Sequence, residues 1–310
     1  MSEEITREES EEKEKNLLDQ GALLLAPHIM LNDLAKKFIF LQMFTKPEYE
    51  RFHIALIGSA ASGKSELLLD VCRLHPVSIY ASAQTSAVGL FGYATRNGIM
   101  GGAIRRARGG IVALDDIDKM GKDTRNAMLE ILQEGKATIT KWGQTWVLKI
   151  KANFLIAGNP SSGRWLGGPN FTQIGFDEPF QTRFHCIIPF NDIPPEMYEL
   201  LGRSFDIKER LREREKERIK RMNTYIEKIR GIEIIRIESD IINRISQFVG
   251  ELKDKYDTLA PSITPRQVEG TISIVKAHAR LNMRDHCIMK DFNEIERLYK
   301  QLYKMWLSGF

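Results

Sequence analysis

Cysteine is scarce. Cys72, Cys186 and Cys287 are the only three in 310 residues, and no two share a C-x-x-C spacing. Scattered single cysteines exclude a disulfide framework and a zinc ribbon, and they point to a reducing interior. The sequence also lacks any uninterrupted apolar run long enough to span a bilayer, and it has no basic-then-apolar leader at its start. It is therefore expected to be cytoplasmic, not secreted, and without a membrane partner. Net charge is small as well: 45 Lys and Arg against 41 Asp and Glu leave +4. Nucleic-acid binding cannot be argued from that total and must come from local basic patches. No internal repeat is visible. Hydrophobic content of 43% and charged content of 28% are ordinary for a globular chain, and 310 residues can hold an α/β core plus a smaller second domain.

The strongest positive signal is Gly58-Ser59-Ala60-Ala61-Ser62-Gly63-Lys64-Ser65, which reads G-x-x-x-x-G-K-S. The apolar run His53–Ile57 precedes it, and the helical pattern Glu66–Val71 follows. That is the strand, loop and helix context of a phosphate-binding loop. Backbone N–H groups of such a loop wrap a triphosphate, and the helix N-terminus adds favourable dipole charge. Lys64 then reaches the β- and γ-phosphates and the Ser65 hydroxyl ligates Mg²⁺. ATP and Mg²⁺ are the expected cofactors.

Around this loop, five apolar runs alternate with helical segments: Ile54–Ile57, Val77–Ala81, Ile111–Leu114, Phe154–Ala157 and Cys186–Phe190. Short apolar strands with helical crossovers predict a five-stranded parallel sheet covered on both faces. Two insertions break the rhythm. Phe91 to Gly110 is rich in glycine and arginine, and Ala137 to Ile150 alternates like a β-hairpin around Lys141-Trp142-Gly143-Gln144. Residues 1–20 form an acidic tail, expected to be disordered or a frayed helix over its first fifteen positions. Leu23 to Phe44 is helical in pattern. Pro194-Pro195 closes the sheet region. Asp206 to Arg230 reads as a highly charged, solvated surface helix, with DNA or a neighbouring subunit as alternative facing partners. About Ser239 to Leu307 is helical. Within it, Thr264-Pro265-Arg266-Gln267 predicts a capping box, with Thr264 as N-cap and a helix running to about Met283.

Three further places carry chemistry. Ile111–Leu114 leads into Asp115 and Asp116: the first is suited to hold Mg²⁺, the second to orient or deprotonate water. Asn159 ends the Phe154–Ala157 strand, where a neutral amide can orient water without adding like charge. Arg183 precedes the fifth strand and matters only if it reaches a neighbour's phosphate.

Taken in order, these pieces resemble the AAA+ ATPases, and within them the minichromosome maintenance (MCM) helicases. The resemblance covers about Leu25 to Leu307. It rests on Leu25-Ala26-Pro27, Ser86-Ala87-Val88-Gly89-Leu90, the run from Gly109-Gly110 through Asp115-Asp116-Ile117-Asp118-Lys119-Met120, Asn159-Pro160 with Gly163-Arg164-Trp165, Thr182-Arg183-Phe184, and Thr264–Glu269 with Ala277-His278-Ala279-Arg280. It implies an AAA+ P-loop core over residues 21–195, then a charged linker helix and a small α-helical lid over 196–310. Lys64 and Ser65 take the Walker A roles, Asp115 and Asp116 the Walker B roles, and Asn159 that of sensor 1. Arg183, as arginine finger, and Arg266, as sensor 2, act on a neighbour's nucleotide.

The implied unit is a homo-oligomeric ring, usually a hexamer, that hydrolyses ATP at its subunit interfaces. It would translocate along, unwind or remodel single- or double-stranded DNA in replication, at a nucleoid or host-cell replication site, with other replication proteins or MCM subunits as further partners. Lys141 and Trp142 on the hairpin, and Arg105, Arg106 and Arg108 in the helix-2 insert, are the implied DNA contacts. The chain departs from the family in four ways. Asp116 stands where glutamate is usual, the N-terminal domain and the C-terminal winged helix are not expected within it, and the helix-2 insert is shorter. Two alternatives remain: a MoxR-like ATPase that remodels proteins, and a weakly catalytic nucleotide-binding regulator of helicase rings.

Overall fold

The five apolar runs pair into one sheet. The computed structural model describes residues 17–82, 85–96, 98–192, 194, 198–233, 235–256 and 260–308. The expected acidic tail up to residue 16, and Pro195, lie outside the described residues. The chain runs through α1 (17–23), α2 (Asp33–Gln42), β1 (Ile54–Gly58), α3 (Lys64–Leu74), β2 (Ser78–Ser82) and α4 (Ala87–Phe91). A hairpin follows, β3 (Gly92–Thr95) and β4 (Gly98–Gly101), then β5 (Ile111–Asp115) and α5 (Lys122–Glu134). A second hairpin, β6 (Lys136–Lys141) and β7 (Gln144–Lys149), leads to β8 (Asn153–Gly158), the short α6 (Glu178–Gln181) and β9 (Cys186–Phe190). Four helices complete the described chain: α7 (Tyr198–Arg230), α8 (Ser239–Tyr256), α9 (Arg266–Leu281) and α10 (Met289–Ser308).

Sheet order is β2-β5-β8-β1-β9, and every neighbouring pair is parallel. β1, β5, β8 and β9 are buried along their whole length, whereas β2, at the edge, is only partly covered. The near-continuous apolar composition of the inner strands follows from that burial. Because all five run the same way, the chain leaves β1, β5 and β8 at one common edge, where the phosphate loop begins. Open α/β sheets bind ligands at this carboxyl edge.

The Ala137–Ile150 insertion is the expected hairpin. Its two-residue loop, Trp142-Gly143, has positive φ at both positions, as the right-handed twist of paired strands requires. The glycine-rich insertion is a hairpin too, followed by a 3-10 turn over Ala103–Ala107. The two hairpins lie side by side, β3 against β6 and β4 against β7.

Three helical expectations change. Leu23 to Phe44 is not one helix: the chain breaks between α1 and α2, with Ala26 and Asn32 at positive φ. Local periodicity is overridden there because the Ala26 N–H is drawn out to the Asp70 carboxylate on α3, at 2.7 Å. The charged helix starts at Tyr198, earlier than expected, and is only partly solvated. Met222, Ile226 and Ile229 are buried, and Arg218 ion-pairs with buried Asp70. Thr264 is not a side-chain N-cap. The glutamine half of the box is made instead, with Gln267 Oε1 accepting the Thr264 N–H at 2.7 Å and its hydroxyl at 2.9 Å. Helix α9 starts at Arg266 and ends at Leu281, just before Met283 turns to positive φ.

A buried ion pair helps to seat α9 on the core. Arg280, on α9, is 0% exposed and donates from both Nη atoms to Glu50 at 2.8 Å, with further bonds to the carbonyls of Phe44 and Ile232. Removing one partner strands the other charge in an apolar interior. Glu50→Gln is therefore expected to destabilise the fold by about 3–5 kcal/mol. Urea unfolding checks this, and an unchanged midpoint would show the pair to be dispensable.

Candidate active site

Glycine at two loop positions is required by the backbone. Any Cβ on Gly58 would meet the Phe190 carbonyl oxygen at 2.6 Å, and Gly63 sits at φ +97, immediately before α3. The loop is anchored on its outer side. Ser59 Oγ donates to Asp192 at 2.7 Å and accepts from the Trp165 N–H at 3.1 Å, and the Ala60 N–H donates to the Gly163 carbonyl at 3.3 Å. These bonds tether the start of the loop to the segments after β8 and β9.

Lys64 is buried and folds back over this loop. Its Nζ donates to the carbonyls of Gly58 and Ser59, both at 2.7 Å, to Ser62 Oγ at 3.2 Å and to Asn159 Oδ1 at 3.3 Å. Burial pulls its pKa down to about 8, partly offset by the nearby carboxylates of Asp115, Asp118, Asp192 and Asp116. A cation that has lost water and hydrogen-bonds only neutral partners is poised to donate to phosphate oxygens.

Asp115 and Asp116 leave β5 with different fates. Asp115 is 8% exposed, and its Oδ1 accepts the Asp116 N–H at 2.9 Å. Asp116 turns into the left-handed region at φ 57, is half-buried, and pairs with Lys119 at 2.9 Å. Asn159 follows β8. Its N–H and side-chain Nδ2 both donate to the Asp118 carboxylate, at 3.0 and 3.4 Å, so the amide oxygen faces Lys64. Asp118, which orients Asn159, is a third acid soon after the strand, and that spacing is its only signal in the sequence.

A cavity of about 410 Å³ gathers Ala60 through Glu66 with Asp115, Asp116, Lys119, Gly158 and Asn159. Gly58 and Ser59 lie just behind it, as the strand end and the loop anchor. The donor set suits a nucleotide with Mg²⁺: the Ser65 hydroxyl and the Asp115 carboxylate are hard oxygen ligands, and Mg²⁺ is usually held by one or two such groups plus phosphates and water.

Arg183 and Arg266 are not at this cavity. Arg183 lies just before β9, at the opposite, amino edge of the sheet, in a segment whose Phe180 and Phe184 are buried. Its Nε is buried without a hydrogen-bond partner among the described residues. Arg266, in the first turn of α9, is close enough to Arg183 that the like charge, after burial, helps pull its pKa down, with Glu269 opposing. Arg51 joins them electrostatically, and beneath this cationic group His53 and His185 are kept neutral, His185 at about 3, mainly by burial.

The residues expected to contact DNA are exposed. Lys141 Nζ stands 4.8 Å from the Trp142 ring centroid, and Trp142, at the hairpin tip, is 59% exposed. Arg105 and Arg106 border an open cleft with Tyr93 and Val88, whereas Arg108, also exposed, lies outside that cleft.

A parallel α/β sheet that carries a phosphate loop after β1, with an asparagine after the neighbouring β8 and acids at the end of β5 on the far side of β8, followed by a helical region, defines an AAA+ P-loop NTPase core. The model of the MCM P-loop domain matches residues 4–200. The chain belongs to the MCM family. It is 27% identical over 317 residues, 94% of its own length, to the DNA replication licensing factor MCM4 of Drosophila melanogaster. It is 30% identical over 251 residues, 77% of its length, to the minichromosome maintenance protein MCM of Saccharolobus solfataricus. In both comparisons the chain spans 37% of the relative's length. Among the described residues, no helix is long and apolar enough to cross a membrane.

Proposed function

We propose that this chain is the ATP-hydrolysing module of a homo-oligomeric ring, usually a hexamer, that moves along or remodels DNA. Replication is the context named by the relatives. The observation that carries the reading is a site split in two. The loop, the acids and the asparagine share one cavity at the carboxyl edge of the sheet, while Arg183 and Arg266 sit together at the amino edge. A second copy supplies what the first lacks.

In this reading Lys64 and the loop N–H groups bind the phosphates. Ser65 and Asp115 would hold Mg²⁺, which would supply charge neutralisation on the phosphate oxygens. Asp116 orients the attacking water and accepts its proton, and Asn159 holds that water in line. Arg183 and Arg266 from the neighbour stabilise charge as the terminal phosphate departs. The hairpins, with Lys141, Trp142, Arg105, Arg106 and Arg108, grip the DNA backbone and stack on bases. Residues 21–195 act as the core, and 196–310 as linker and lid.

The test is steady-state ATP hydrolysis with and without single- and double-stranded DNA, with Lys64→Ala as the blank and oligomeric state measured in the same samples. Turnover stimulated by DNA, falling steeply with salt, is expected. DNA-indifferent turnover would favour a MoxR-like protein remodeller. A second reading, a weakly catalytic regulator of helicase rings, is favoured by the short Asp116 side chain and its ion pair to Lys119. Nucleotide binding and assembly without turnover would support it.

A further inference from the structure

The mechanism above uses one face of Asp115, the face toward the phosphates. Its other contacts come from two separate elements. Oδ1 accepts the N–H of Asp116, and Oδ2 accepts the hydroxyl of Tyr80 at 2.9 Å. Tyr80 lies on the edge strand β2, and the strand register explains how it reaches the acid. Tyr80 pairs with Ala113, so Asp115 is the next residue along β5 on the same face of the sheet. Diagonal neighbours of this kind stand about 7–8 Å apart at Cα, within reach of an aromatic side chain.

Packing does not account for the tyrosine. It is 39% exposed, with its ring on a partly covered edge strand, while its hydroxyl is aimed at a carboxylate that is 8% exposed. A hydroxyl donating to an ionised carboxylate makes one of the stronger hydrogen bonds. Two donors, one on each oxygen, remove the free rotation of the carboxylate about its last bond. Each oxygen keeps a second lone pair, so the acid stays able to bind a cation but in one orientation only.

We propose that Tyr80 is a positioning residue for Asp115, fixing the carboxylate in the orientation that receives the divalent cation accompanying ATP. Tyr80 touches neither the cation nor the nucleotide. It acts through Asp115, and its effect is confined to steps that involve the cation. The proposal rests on the ATP-site reading given above.

The test is binding of a fluorescent ATP analogue to the full chain, measured in EDTA and across a range of free Mg²⁺, for wild type and Tyr80→Phe. Phenylalanine keeps the ring and deletes only the hydroxyl. Affinity in EDTA and thermal midpoint are expected to match wild type, while the free Mg²⁺ needed for half-maximal tightening rises about tenfold, the low end for losing a hydrogen bond to a charged group. Placed in an Asp115→Asn background, Tyr80→Phe is expected to shift the Mg²⁺ dependence no further. An unchanged Mg²⁺ requirement in Tyr80→Phe overturns the proposal and leaves the ATP-site reading standing. Equal loss of affinity with and without Mg²⁺ also overturns it, because that is the result of a packing defect. Wild-type protein that binds no analogue in either condition overturns both.

Discussion

Arg183→Ala is expected to lower ATP turnover by about a thousandfold or more, the range for removing an arginine that stabilises charge on a transferring phosphoryl group. ATP affinity of the isolated chain is expected to change little, because Arg183 lies at the amino edge of the sheet and the phosphate loop at the carboxyl edge. Burial of the Arg183 Nε without a hydrogen-bond partner among the described residues, beside a second cation at Arg266, leaves a local excess of positive charge that an incoming triphosphate would satisfy. The decisive form of the experiment mixes two inactive proteins. Lys64→Ala subunits keep the arginine and lose the loop lysine, and Arg183→Ala subunits do the reverse. In a ring, some interfaces of the mixture bring an intact loop against an intact arginine, and part of the activity returns. A mixture that stays inactive, although it assembles, would mean that Arg183 serves its own chain's fold rather than a neighbour's nucleotide.

Much of this arrangement was legible before any coordinates. The phosphate loop is a backbone device with fixed glycines, so its positions follow from spacing alone. The buried strands announce themselves because four of the five are covered on every residue and carry almost no polar side chains. The site was harder to read wherever one side chain acts through another. Nothing local says that Asp118 rather than Asp116 holds the Asn159 amide, since that depends on β5 and β8 being neighbours. Tyr80 carries no local signal for the same reason: its partner is set by the register of an edge strand. The break before α2 was hidden because its cause, Asp70, lies 44 residues further along the chain. Burial of the final turns of α7 was hidden by their charged flanks, which outnumber the apolar residues that face the core.

Asp116→Glu is expected to raise turnover by up to about a hundredfold, the scale on which an ångström of misplacement of a catalytic group alters a rate. Aspartate is one methylene shorter, about 1.5 Å of reach. The backbone does not make up the difference. Asp116 already sits in the left-handed region, and its carboxylate is turned toward Lys119 at 2.9 Å. That pair is half-exposed on both sides, so it is worth little in stability, about 0–1 kcal/mol. Its effect is on orientation: the carboxylate is held by the Lys119 ammonium at 2.9 Å instead of being free to turn toward water at the phosphate. A glutamate at 116 reaches one methylene further into the cavity that this position lines together with Lys64, Ser65, Lys119 and Asn159. Lys119→Met in the native background separates the two contributions. If the ion pair is the restraint, the methionine variant speeds turnover; if reach is the restraint, only the glutamate does. Turnover unchanged in both variants, in protein that binds ATP and assembles, would place the limiting step elsewhere, either in a neighbour's arginines or in a slow release of product.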